Sequence, residues 1–342
     1  MPAPSSALDE QALLDRAAAA GVHRLAIPTP FAVGRVNCWL IEDQPLTLVD
    51  TGPNSGKALD ALERALADHG RRVEDLERIV LSHQHLDHIG LSDILARRSG
   101  AEVCSLAALV PWLARYSEEM EAGDAYAEEQ MRRHGIPADV TRALRAVARV
   151  ARGWGSSATV TRGLVDGETL AFAGRTLRVH HRPGHSPSDT IFHDEQRGLL
   201  LGADHLLRHI SSNPLLSRPL EGPAGGERPH ALVTYLASMR ATQAMEGVDV
   251  VLPGHGEPFD DAAALVDERF RMHARRADKI LRLVAERPRT AYEIGQELWG
   301  EVALTQAYLC LSEVLGHVDL LVGDGRVREQ EDAQGVVHLT AV

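Results

Sequence analysis

Ser82-His83-Gln84-His85-Leu86-Asp87-His88 puts three imidazoles and a carboxylate within six residues. It directly follows Arg78–Leu81 (RIVL), a short apolar run that reads as a buried strand. Neutral imidazole and carboxylate are favoured ligands of zinc and other borderline first-row metals. In an extended loop, residues i and i+2 face the same way, so His83 and His85 can share one ion. Asp87 and His88 are then free to serve a second. Three further stretches repeat the arrangement. Pro183-Gly184-His185-Ser186 follows the strand-like Leu177–His181, Asp204 closes Leu200-Leu201-Gly202-Ala203-Asp204, and Pro253-Gly254-His255-Gly256 follows Val248–Leu252. In each, a strand delivers one ligand at its tip and Gly or Pro shapes the presenting turn. Four such ends converging on one sheet edge make a cage of seven ligands: His83, His85, Asp87, His88, His185, Asp204 and His255. Among the other histidines, His180, His181, His193, His230, His273, His317 and His338 read as solvated or satisfied in the core. His205 and His209 follow Asp204 closely and are candidates for orienting a ligand or meeting substrate.

The rest of the chain bounds what such a cage can belong to. At 342 residues, 44% of them apolar, it is long enough for two domains, and neither disorder nor a small disulfide scaffold fits. Cys38, Cys104 and Cys310 are odd in number and lack paired spacing, against a disulfide framework. The start, MPAPSSALDEQ, is acidic where a signal peptide would be basic, and reads as a cytoplasmic N-terminus. No apolar run reaches the roughly 18 residues of a membrane span. A net charge of −12 disfavours nucleic acid and anionic membranes as main partners.

Periodicity predicts a short helix within residues 1–24 and strands at Arg35–Glu42 and Leu46–Asp50. It then predicts a helix from about Lys57 to His69, capped by Asn54 or Ser55, and another from Leu91 to Gly100. Residues 106–152 read as two or three helices inserted between strand-rich halves. Strand character returns at Leu177–His181, Thr190–Phe192 and Gly198–Leu201, followed by a loop over 211–229 and a helix over Val233–Met245. Beyond residue 266 come helices at about Arg269–Ala285, Ala291–Trp299 (capped by Thr290) and Leu304–Leu321, then a hairpin. Together they form a winged-helix pattern. The expected division is a catalytic domain over 1–265 and a winged-helix domain over 266–342.

The ordered set HxHxDH, PGHS, GAD and PGHG, preceded by Val49-Asp50-Thr51-Gly52, resembles the metallo-β-lactamase superfamily over about residues 20–260. That resemblance implies an αββα sandwich with a two-metal site at one edge. His83, His85 and His185 would hold the first metal, and Asp87, His88 and His255 the second. Asp204 would bridge them, and Asp50 would support the ligand loops. The same nitrogen and oxygen ligands accept Zn, Fe or Mn, with Zn taken as the expected ion.

A dinuclear centre of this kind makes hydroxide available at neutral pH without any protein nucleophile, with Asp87 and Asp204 as catalytic carboxylates. The expected activity is hydrolysis of a small acyl thioester or related ester, because a thiolate leaves without a proton donor. Trp112, Tyr116 and Met120, at helical spacing in the insert, are candidates for a substrate lid or for plain packing. Residues 209–214 (HISSNP) are a second candidate wall. The alternatives are an endoribonuclease or phosphodiesterase, and an iron-dependent oxidoreductase of the persulfide dioxygenase type. Against the first, residues 266–342 hold ten Arg or Lys and thirteen Asp or Glu, and Leu304–Leu321 has no cation. A groove-reading helix needs cations to neutralise phosphates. The C-terminal module is therefore expected to be structural or dimerising, and the partner a small-molecule substrate.

Overall fold

Alternation along the strands dictates the layers. The computed structural model describes residues 10–221 and 228–342; Leu8 of the expected first helix and part of the expected 211–229 loop lie outside them. Strands β1 (Val22–Ile27), β2 (Val36–Ile41), β3 (Thr47–Val49), β4 (Arg78–Val80), β5 (Glu102–Leu106) and β6 (Arg162–Leu164) lie side by side in that order. The β1–β2 and β2–β3 junctions are antiparallel and the others parallel. The second sheet runs β7 (Thr169–Ala171), β8 (Thr176–His181), β9 (Thr190–Asp194), β10 (Leu199–Ala203), β11 (Val250–Pro253), with β10 and β11 parallel. In β2, Trp39 and Ile41 face the second sheet while Cys38 and Leu40 face the opposite way. In β10 and β11, Leu199, Leu201, Val250 and Leu252 point inward, and Leu200 and Val251 outward. Both faces are buried, which is why these strands read as continuous apolar runs.

Helices cover the outer faces. Leu13 and Ala17 of α1 (Glu10–Ala19) join the core between the sheets. Helix α2 (Gly56–Asp68) starts at Ser55, whose hydroxyl oxygen accepts from Ala58 N at 3.1 Å. Its Leu62 and Leu66 are fully buried on the first sheet, a burial contributing about 1.5–3 kcal/mol each. The single turn α3 (Leu86–Ile89) and then α4 (Ser92–Ser99) follow β4. The insert is α5 (Val110–Ala114), α6 (Tyr116–Arg133) and α7 (Ala138–Ala151), lying in sequence between β5 and β6. The second sheet is backed by α8 (Ala231–Gln243) and the start of α9 (Ala262–Glu286). After these come α10 (Ala291–Trp299), α11 (Val302–Thr305), α12 (Ala307–Gly323) and the hairpin β12 (Val327–Glu331) with β13 (Val337–Ala341).

Three expectations change. The first helix ends at Ala19, and residues 22–27 are an edge strand in which polar His23 and Arg24 mask the apolar signal. The single helix expected over 304–321 is broken at Gln306 into α11 and α12. Helix α9 begins at Ala262, earlier than the expected start near Arg269. Its Leu265 and Val266 pack with α8, and its Ala277, Ile280 and Val284 pack with the C-terminal helices. Met131 and Ile136 of the insert share that C-terminal core.

Candidate metal centre

The carboxyl ends of β4, β8, β10 and β11 each lead within a few residues into one group of side chains, and β3 ends just before Asp50, which hydrogen-bonds to His88 of that group. His83, His85, His185 and Asp204 place ligand atoms within 4.8 Å of one another, and so do Asp87, His88 and His255. Asp204 touches both groups: its oxygens lie 3.5 Å from Nε2 of His88, His185 and His255. Asp87 Oδ2 lies 3.3 Å from His255 Nε2. All seven residues meet at one place.

The surroundings fix which ring nitrogen faces inward. His255 Nδ1–H donates to the Arg35 carbonyl at 2.8 Å and His185 Nδ1–H to the Asn213 carbonyl at 3.2 Å. His88 Nδ1–H donates to Asp50 Oδ2 at 2.8 Å. Ser82 gives its hydroxyl proton to Asp50 Oδ2 at 2.8 Å, so its oxygen accepts from His83 Nδ1 at 2.9 Å. Each outer bond protonates Nδ1 and turns Nε2 toward the centre, where that of His185 meets His85 Nδ1 at 2.9 Å, the pattern that orients metal-bound histidine.

The donor set fits cations. His83 Nε2, His88 Nε2 and Asp204 Oδ1 are buried without hydrogen-bond partners, a costly arrangement for polar atoms unless something binds them. A Cβ on Gly254 would collide with Asp204 Oδ1 and His88, so only glycine lets this turn approach the cluster. Gly184, before His185, has φ 148°, and a Cβ there would strike the Tyr235 backbone. Burial holds the His83 imidazole well below its ordinary pKa and pushes His85 down to about 3, with neighbouring rings adding to it. At His88, burial is outweighed by Asp204 and Asp50, and the pKa rises. At Asp204 burial is outweighed by His255 and His88, so the carboxyl stays ionised well below the usual range. The neutral His83 and His85 rings and the ionised Asp204 are in the protonation states that metal ions require, whereas His88 would give up a ring proton on binding one.

A cavity of about 460 Å³ lies over the cluster. Phe31, Val33, Leu207, Ile210 and Leu309 give it apolar walls, and Ser211 and Asn213 line it with a hydroxyl and a side-chain oxygen lacking partners. The expected 209–214 wall is thus present. Leu309, from α12, puts the C-terminal segment into the same wall, held by Asn213 Nδ2 donating to the Leu309 carbonyl at 3.0 Å. The insert stripe divides. Trp112 and Met120 line an adjoining cavity, whereas Tyr116 is buried on the first sheet and donates to the Arg152 carbonyl at 2.6 Å.

Two of the weighed histidines lie elsewhere. His205 sits in the core between Thr242 and Tyr235, its pKa pushed down to about 3 by burial. His209 is exposed beside Gly256. Ser82 and Asp189 were missed. Asp189 is fully buried, with Oδ1 3.8 Å from His83 Nδ1 and neither oxygen hydrogen-bonded. Position beside the HxHxDH motif pointed to Ser82; nothing local marks Asp189.

A sandwich of two sheets with a histidine and aspartate centre at one edge defines a class, and comparison with known proteins identifies it. The family profile of the metallo-beta-lactamase superfamily matches residues 32–255, and the chain belongs to that superfamily. Its members typically bind divalent metals and include hydrolase-type enzymes. "Probable metallo-hydrolase YqjP" of Bacillus subtilis is 33% identical over 320 residues, covering 93% of this chain and 98% of that protein. An "Atrochrysone carboxyl ACP thioesterase" of Aspergillus fumigatus is 22% identical over 277 residues, covering 81% of this chain and 67% of that one. A solved metallo-beta-lactamase family protein of Thermus thermophilus superposes with TM-score 0.77 at 27% identity, over 94% of this chain and 99% of that chain. A beta-lactamase domain protein of Burkholderia ambifaria gives 0.80 at 26%, over 94% and 92%.

Proposed function

We propose that the chain is a hydrolase with two divalent metal ions, acting on a thioester or related ester of a small acyl compound. His83, His85 and His185 would hold one ion, and Asp87, His88 and His255 the other, with Asp204 shared between them. The observation that carries the reading is the meeting of these seven side chains beneath an apolar-walled cavity, with His85, Asp87, His185, Asp204 and His255 lining it. When bound, such ions supply Lewis acidity and lower the pKa of water to about 7.

The chain's own groups divide the remaining work. Asp50 and Ser82 hold the ligand loop, and the Arg35 and Asn213 carbonyls aim His255 and His185. Leu207, Ile210 and Leu309 give the approach an apolar wall. No cysteine competes with water as a nucleophile. Cys38, Cys104 and Cys310 are buried and free, and burial raises all three thiol pKa values, Cys104 to about 12, so none is a ready thiolate.

The apolar walls and the weak demand of a thiol leaving group for a proton favour a thioester. The thioesterase name of the Aspergillus relative points the same way. On this reading residues 266–342 complete the substrate wall through Leu309 and do not act as a separate nucleic-acid reader. Among the described residues no helix is long and apolar enough to cross a membrane. A panel of acyl thioesters, lactones, phosphodiesters and RNA, run on protein of measured metal content, tests the proposal. Turnover of thioesters or esters supports it, and cleavage of RNA alone refutes it.

A further inference from the structure

A second cavity, of about 280 Å³, lies between α6 and residues 215–220. His85, Leu86 and Leu215 line both this space and the one over the ligand cluster, so the two adjoin beside the centre. Helix α6 turns one face to it: Met120, Gly123, Ala127 and Met131 recur at i, i+3, i+7 and i+11, the repeat of a single helix face. Leu216, Pro219 and Leu220 form the opposite wall.

Gly123 is the informative residue. Glycine inside a helix lowers stability relative to alanine. Here no steric demand explains it, because a Cβ at 123 would meet nothing within 4 Å. What the missing side chain leaves is volume, on the side where α6 lines the cavity. The charges along the wall are already matched. Glu119 pairs with Arg115 at 2.8 Å and with Arg218 at 3.1 Å, Asp124 accepts from Arg152 Nε at 2.9 Å, and Arg145 pairs with Glu121 at 2.8 Å. Beyond the unpartnered Tyr126 hydroxyl and Arg145 Nε, the surface left for recognition is apolar.

We infer that this cavity binds the linear apolar acyl chain of the substrate, with Gly123 and Ala127 keeping it open. The inference rests on the acyl-hydrolase reading above. The acyl carbonyl then sits at the junction lined by His85, Leu86 and Leu215, and the thiol part occupies the cavity under Ile210 and Leu309. Hydrolysis forms one C–O bond from water and breaks the C–S bond, releasing carboxylic acid and thiol. It needs no further reactant.

The test uses the full-length, zinc-loaded protein with acetyl and octanoyl thioesters of N-acetylcysteamine. Octanoate binding is measured separately by calorimetry. Gly123→Phe, and Ala127→Leu as a second plug should the first fail to fold by circular dichroism, are expected to lower the octanoyl-to-acetyl ratio of kcat/KM at least tenfold. Octanoate affinity should weaken in parallel. Ratios and affinities equal to wild type in folded variants overturn the assignment while leaving the hydrolase reading intact. Wild type that cleaves neither thioester yet binds octanoate in a Gly123-dependent way supports the cavity and removes the thioester reading.

Discussion

His88 Nδ1 lies 2.8 Å from Asp50 Oδ2, tying the end of the ligand loop to the tip of β3. The same carboxylate takes the Ser82 amide at 2.9 Å and its hydroxyl at 2.8 Å, so one buried residue holds both ends of Ser82–His88. Asp50 does this from φ 60°, a conformation that Asn also tolerates. Asp50→Asn should therefore fold, yet misorient His83 and His88 and lower metal affinity about 10–100-fold. Competition with a coloured chelator measures this; wild-type affinity in the variant would contradict the supporting role.

Among the basic residues of α9, Arg269 packs into the protein. It is buried and its Nη2 donates to the carbonyls of Leu207, Arg208 and Ile210, at 3.1, 2.9 and 3.2 Å. Those bonds fasten α9 to the loop that lines the cavity over the ligand cluster. Arg269→Ala leaves those carbonyls unsatisfied and should cost about 2–4 kcal/mol of stability. Urea unfolding reads the loss, and KM should rise with it. An unchanged midpoint would show the contact to be idle.

His134 joins the insert to the C-terminal helices, its carbonyl accepting from Tyr292 N at 3.2 Å. Burial first, then Arg228 and Arg133, push its pKa down to about 3. An unfolded chain protonates this ring near pH 6.5 and the folded one does not, so stability present above that pH is lost as pH falls toward 3. Between pH 7 and 5 the loss is about 2 kcal/mol. His134→Gln should shrink the pH dependence of unfolding by that amount over the same range; a variant with the wild-type slope would place the ring's titration elsewhere.

How much of this was legible in the sequence varies with the physics. Ligand residues at strand tips are visible because Gly, Pro, His and Asp each announce a conformational or chemical need, as in Pro253-Gly254-His255. Helices with caps and one apolar face were readable too. Thr290 does cap α10, its hydroxyl accepting from Glu293 N at 3.2 Å. Strand β1 was hidden because only part of its alternation is apolar. The supports of the centre were harder. Asn213 and Arg35 act through backbone carbonyls that any residue carries, and Asp189 reaches His83 only through the folded chain. The sharing of a core between Met131 of the insert and Leu315 of α12 is a tertiary fact with no local signature.

The most direct measurement counts metal. Wild-type protein and Asp204→Ala, both reconstituted with zinc and dialysed, should be compared by elemental analysis alongside thioester hydrolysis. Wild type should retain two equivalents per chain. Asp204→Ala should retain at most one and lose hydrolysis, because the shared carboxylate lies 3.5 Å from Nε2 of His88, His185 and His255. A folded wild type that retains no metal, or an Asp204→Ala protein that keeps both ions and hydrolyses at the wild-type rate, would contradict the account.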